Sequence, residues 1–170
     1  MAKQKTARTY DDDGFRRRAA CVCVKDCNET EILLVSANRD PELWIIPGGG
    51  IEPTEDIQVA ALREVLEEAG VKGRLDRCLG VFESMECKTR TFVFVMVVGE
   101  VLDEWDEMIS IGRKRRWFPV DEARHHLKMH RPAHLLYLDN LNNNNNSNNN
   151  NNNNSNNNNS SSSSSNKEVL

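Results

Sequence analysis

The chain has 170 residues, 38% of them apolar, and a formal net charge of −4. That is enough for one ordinary domain and too little for two, and the acidic balance argues against a general nucleic-acid binder. No apolar run reaches the roughly 18 residues a membrane span needs, and the opening MAKQKTARTYDDDG has no apolar signal-peptide core, so no membrane segment or secretory leader is expected.

In chain order, residues 1–17 read as a polar lead-in. Strand patterns follow at 18–25 and 31–37, with a turn-like DCNE between them. LWIIPGGGIEPTED reads as a short strand broken into a loop by Pro and Gly. A helix is predicted over 56–69, with Thr54 as its N-cap, Glu55 and Asp56 at its positive end, and Gly70 as its stop. Residues 74–83 and 89–98 are predicted strands, 101–112 a polar loop and 115–120 another strand. Residues 121–130 and 132–141 read as two helices separated at Pro132. The whole is one α/β domain over 18–141, a mixed sheet with helices packed on its faces. Residues 142–166 are Asn and Ser only, 17 and 8 of them, so 142–170 is expected to be a disordered tail that leaves activity unaffected.

Five cysteines without a CxxC pair suggest reduced thiols, hence a cytoplasmic or nuclear protein. His126, His130 and His134 share i,i+4 spacing, but Pro132 breaks the register, so they are not read as metal ligands. Trp44, Trp105, Trp117, Phe82, Phe92 and Phe94 fit core and strand positions better than a base-stacking platform.

The helix at 56–69 carries the chemistry. Wound at about 100° per residue, it places Glu64, Glu67 and Glu68 within an arc of about 100°, with Leu62, Val65, Leu66 and Ala69 opposite. One face is therefore expected to pack on the sheet and the other to present a negative patch. Like charges at i,i+4 destabilise a helix, and a divalent cation with a preference for oxygen ligands would reverse that. Pro47-Gly48-Gly49-Gly50 precedes the helix, a loop whose backbone can approach a ligand and whose carbonyls can coordinate.

The register is strict: Gly49, five residues, Glu55, seven residues, then Arg63-Glu64-Val65-Leu66-Glu67-Glu68-Ala69-Gly70-Val71. This resembles the sequence box of the Nudix hydrolase family at every fixed position. Seven specified residues coincide by chance only about once in 10⁸ starts at ordinary residue frequencies. The resemblance implies an α/β/α sandwich with a mixed sheet, and Mg²⁺- or Mn²⁺-dependent hydrolysis of a diphosphate. It implies that Glu64, Glu68 and the Gly48 carbonyl hold the metal, with Glu67 either the base that activates water or a further ligand. Arg63 would pair with Glu55 and orient the carboxylates, and Gly49 and Gly50 would support the loop.

Positive charge is blocked at Arg16-Arg17-Arg18 and Arg113-Lys114-Arg115-Arg116, with Arg8, Arg39 and Arg131 as singles. Guanidinium forks suit a highly phosphorylated ligand. Together with GVFES, TRTFVFVMVV and IGRKRRWF, the stretch from about 8 to 140 is similar to the diphosphoinositol polyphosphate phosphohydrolase branch of that family. The resemblance implies inositol pyrophosphates as substrates, with diadenosine polyphosphates, linear polyphosphate and capped RNA as alternatives, and no membrane partner. It places substrate contacts at Arg8, Arg16, Arg17, Arg18, Ala37, Asn38, Arg39, Arg113, Lys114, Arg115 and Arg131. A monomer is expected. Cys87 stands where the family has a basic residue, with Lys88 and Arg90 the nearest substitutes. Ala37 and Asn38 replace small polar serines, so Ala37 offers only its backbone N–H.

Overall fold

The computed structural model describes residues 7–141; the Asn/Ser tail expected to be disordered lies outside the described residues. The elements are β1 (Arg16–Val24), β2 (Glu31–Ser36), β3 (Trp44–Ile45), β4 (Gly48–Gly50), α1 (Ile57–Ala69), β5 (Val71–Ser84), β6 (Thr89–Val101), α2 (Asp106–Ile111), β7 (Arg115–Pro119) and α3 (Val120–His130). A 3₁₀ turn at Pro132–His134 leads into a last helical segment, α4 (135–141). Seven strands form one mixed sheet in the order β3-β2-β1-β6-β5, with β4 paired to β1 and β7 to β2. β1 and β6 run parallel from Arg16↔Thr89 to Val24↔Val97, and the other pairings are antiparallel.

Strand alternation sorts the core into two layers. Ala20, Val22 and Val24 of β1, with Ile32 and Leu34 of β2 and Val93 and Val95 of β6, face α3 and α4. The intervening Ala19, Cys21, Cys23, Leu33, Val35, Phe94 and Met96 face α1. A sheet buried on both sides needs such continuous apolar runs, and the result is the expected α/β/α sandwich. No helix among the described residues is long and apolar enough to cross a membrane.

Several local expectations change. The sheet starts at Arg16, inside the stretch read as a lead-in, because Phe15 is buried and Arg16 already pairs with Thr89. The supposed loop over 101–112 contains α2. The triple glycine is a strand and not the expected loop: Arg18, Ala19 and Ala20 pair with Gly50, Gly49 and Gly48. Thr54 does not cap α1. It sits at φ 65, and Asp56 caps instead, accepting from Gln58 N at 2.8 Å and Val59 N at 3.3 Å. Asp56→Ala should therefore cost about 1 kcal/mol and lower the melting temperature by roughly 3–5 °C, readable by thermal denaturation. Gly70 ends the helix in the left-handed region as expected, its N–H donating to Leu66 O at 3.0 Å.

The face α1 buries also differs from the helical-wheel reading. Ala60, Ala61, Glu64, Val65, Glu68 and Ala69 are buried, while Leu62 is exposed. Small alanines let the helix approach the sheet closely, and the side-chain-free β4 receives the Glu64 carboxylate against Gly49. The two carboxylates are thus turned toward the sheet instead of away from it.

Candidate active site

Three glycines in a row leave no side chain on either face of β4, and two different environments meet its backbone. On the α1 side, a side chain at position 49 would overlap the Glu64 carboxylate. On the other side, a Cβ at position 50 would stand 2.8 Å from an Arg16 guanidinium nitrogen. Gly48 joins the two: its N–H donates to Glu68 Oε2 at 2.8 Å, and its carbonyl accepts from Arg18 at 2.9 Å. Only glycine fits there, because a Cβ at position 48 would stand 2.5 Å from the Ala20 Cβ.

Arg63 organises the carboxylates. Its guanidinium donates to both Glu55 oxygens at 2.7 and 3.0 Å, to the Gly50 carbonyl at 3.0 Å and to Glu64 Oε1 at 2.9 Å. Glu67 Oε1 lies 3.5 Å from the same guanidinium. Helical spacing makes this possible, since Glu64 is adjacent in sequence and Glu67 lies one turn on. The fork raises the Arg63 pKa, chiefly through its hydrogen bond to Glu55, and correspondingly holds Glu55 below the usual carboxylate range. The expected Arg63–Glu55 pair is therefore present.

Glu68 sits differently. Burial pushes its pKa up to about 7, opposed by the Arg113 charge and the Gly48 N–H, and reinforced by Glu107 and Glu64. Arg113 is buried and donates to Glu107 Oε2 and Ser36 O, each at 2.6 Å, with Glu68 Oε1 at 3.3 Å. Among the described residues, no three His, Cys, Asp or Glu side chains are gathered into a ready metal-ligating group. A hard divalent cation, however, commonly takes one or two protein carboxylates and completes its shell with water and phosphate. Glu64, Glu68 and the Gly48 carbonyl supply oxygen donors of that kind on rigid elements. A carboxyl disfavoured in its charged form by burial is one that a cation would restore, so the donor set fits.

Across β4 lies a cavity of about 560 Å³. Its wall carries Arg8, Arg16, Arg18, Lys88 and Arg131. The acidic side chain beside them, Glu83, is engaged by Arg90 at 2.8 Å. Arg16 Nε is buried without a hydrogen-bond partner, and burial, Arg18 and Arg8 together lower the Arg16 pKa. Cations crowded in this way favour a polyanionic ligand. Tyr10, Phe82 and Tyr137 also line the space.

The predicted basic residues are thus divided. Arg8, Arg16, Arg18 and Arg131 come together, but Arg17 belongs to the opposite face because neighbours on a strand alternate. Arg113 is inside the protein. Arg115 caps α1, donating to Ala69 O and Gly70 O at 2.8 and 3.1 Å and to Leu102 O, with its guanidinium over the Trp105 ring. Lys114 is exposed and pairs with Glu42 at 3.0 Å; Asn38 and Arg39 are exposed outside the cavity lining. Ala37 does not offer its N–H, which donates to Leu43 O at 2.8 Å.

Of the two substitutes for a basic side chain at Cys87, Arg90 is held by Asp11, Asp13 and Glu83, so Lys88 is the one in the cavity. Sequence reasoning missed Glu107 and Tyr10, and it set His134 aside with the other spaced histidines. Nothing local ties the three to the site, since each joins it from a distant segment.

The NUDIX domain model matches residues 15–141. Mouse diphosphoinositol polyphosphate phosphohydrolase 2 is 52% identical over 139 residues, covering 82% of this chain and 78% of that protein. Human diphosphoinositol polyphosphate phosphohydrolase 3-alpha is 53% identical over 140 residues, covering 82% and 85%. Among solved structures, a NUDIX hydrolase from Nitrosomonas europaea superposes with a TM-score of 0.62 at 26% identity, over 74% of this chain and 86% of that one. A MutT structure, from work on Aliivibrio salmonicida and Vibrio cholerae, gives 0.51 at 17% identity over 65% and 82%, a likeness of fold.

Proposed function

We propose, from the premise that this chain belongs to the NUDIX family, that it hydrolyses the phosphoanhydride of diphosphoinositol polyphosphates with Mg²⁺ or Mn²⁺ and releases phosphate. The observation that carries this reading is the arrangement about β4, with a carboxylate helix on one side of a bare glycine strand and a five-cation cavity on the other. One nucleoside diphosphate needs far less positive charge than this.

Glu64, Glu68 and the Gly48 carbonyl would hold the ion, which when bound supplies charge neutralisation and orientation of the scissile phosphoryl group. The cations of the cavity hold the remaining phosphates and so position the anhydride at β4, where Gly48 both lines the cavity and bonds Glu68 of α1. Glu67 takes a proton from the attacking water at its carboxylate. The water oxygen bonds to phosphorus as the bridging P–O bond breaks, and the bridging oxygen leaves on the inositol phosphate. Arg63 keeps Glu64 and Glu67 from rotating away, while its bond to the Gly50 carbonyl ties them to β4.

Turnover of diphosphoinositol pentakisphosphate by the purified protein should depend on Mg²⁺ and stop on chelation, followed as phosphate release. A folded protein that releases none overturns the proposal. Tyr10, exposed on the cavity wall, favours a second reading in which diadenosine polyphosphates or capped RNA are also accepted. The ratio of kcat/KM values across these substrates and linear polyphosphate ranks them.

A further inference from the structure

His134 was singled out by its spacing and excluded as a metal ligand, yet the fold brings it into the phosphate cavity. It enters from the 3₁₀ turn between α3 and α4, on the wall that also holds Arg131 and Arg18. Two contacts fix the ring. The Ile46 N–H donates to Nδ1 at 3.4 Å, and the imidazole stacks on Tyr137 with centroids 4.9 Å apart and planes 23° from parallel. A ring whose Nδ1 accepts carries its proton on Nε2, so it offers one donor and no acceptor there.

Burial, then Arg131, Arg18 and His130, push the His134 pKa down to about 3. The ring is therefore neutral across the physiological range. That suits this wall: a further charge would add to the repulsion among the arginines, whereas a neutral N–H adds a phosphate donor without doing so. Lys88 and Arg16 already supply charge elsewhere in the cavity.

We propose that His134 is a substrate-binding residue of this cavity, donating its Nε2–H to a phosphate oxygen of the polyphosphate beside Arg131. This rests on the proposed polyphosphate chemistry and adds to it a neutral donor held by the backbone of the β3–β4 segment. Nothing in the step changes covalently; the gain is a hydrogen bond to an anion in place of one to water.

The test uses inositol hexakisphosphate, which lacks the anhydride, and the full chain. Calorimetric affinity should fall about tenfold in His134→Phe, which keeps the stacking on Tyr137 but has no donor. His134→Gln has both an acceptor for the Ile46 N–H and a donor, so it should restore affinity to within about threefold. With hydrolysable substrate, KM should rise in the Phe variant while kcat stays within about twofold. In the wild type, the ¹⁵N resonance of His134 Nε2 should show the protonated-ε tautomer and shift on saturation with the ligand. Equal affinity of wild type and His134→Phe, or an unmoved resonance, overturns the assignment. A wild-type protein that binds no inositol hexakisphosphate instead overturns the polyphosphate reading beneath it.

Discussion

Glu67→Gln is expected to lower the rate of phosphate release by about 10²–10⁴-fold while leaving polyphosphate binding nearly unchanged. Gln keeps the size of the side chain and a hydrogen-bonding oxygen, but it cannot accept and hold a proton from water. The corresponding rise in the barrier is about 3–5 kcal/mol. Position as well as chemistry distinguishes Glu67 from its neighbours. Glu64 and Glu68 are the more deeply buried pair, committed to β4 on the sheet side, whereas Glu67 sits beside them at the edge of Arg63's reach, 3.5 Å away. Single-turnover phosphate release with saturating Mg²⁺ and substrate measures the chemical step, and calorimetry with inositol hexakisphosphate measures binding. An unchanged rate would move the base to Glu64 or Glu68. Loss of binding together with rate would instead make Glu67 part of the ion site.

Arg113→Ala should destabilise the fold by about 3–5 kcal/mol, read as a lower midpoint in urea. The guanidinium is buried between Glu107 of α2, Glu68 of α1 and the carbonyl of Ser36 at the end of β2. Removing it leaves two buried carboxylates facing each other without their shared cation, and a carbonyl without its donor. Arg113→Lys should recover only part of the loss, because an ammonium cannot match the three directions of the fork. The outcome separates two roles for one residue. A side chain that only met substrate at the surface would change KM and leave the urea midpoint alone. If Arg113→Ala unfolds at the wild-type urea concentration, the buried network contributes nothing and the geometric reading of Arg113 fails.

The contrast between Arg113 and Arg16 shows where sequence reasoning stops. Both belong to basic blocks, and both were expected on one rim. Arg16 reaches the cavity because it occupies an even position on β1, in phase with Ala20, whereas its neighbour Arg17 is out of phase. A run of three arginines on a strand cannot share a face, and that follows as soon as the strand is extended back to Arg16. The block at 113–116 is dispersed for another reason. Gly112 at φ 68 ends α2, and β7 begins at Arg115, so consecutive residues leave in different directions. One meets Glu107, the next Glu42, the next the carboxyl end of α1.

The shared face of Glu64, Glu67 and Glu68 was readable because a helix repeats every 3.6 residues whatever surrounds it, and the stop at Gly70 because glycine takes the left-handed conformation at little cost. The strand at β1 was readable at 18–25, and its two apolar phases are the period-two property of a single strand. What stayed open was which side of each element would be buried. Glu64 and Glu68 were placed on the solvent side of α1 and are found against the sheet, because three glycines and three alanines let the helix settle there. That decision belongs to packing between residues about 20 positions apart. The same holds for Glu107 and His134, which reach the site only when α2 and the turn after α3 fold onto strands formed much earlier in the chain. Local backbone geometry sets periodicity and caps; long-range burial sets the face, and with it the chemistry each charged group performs.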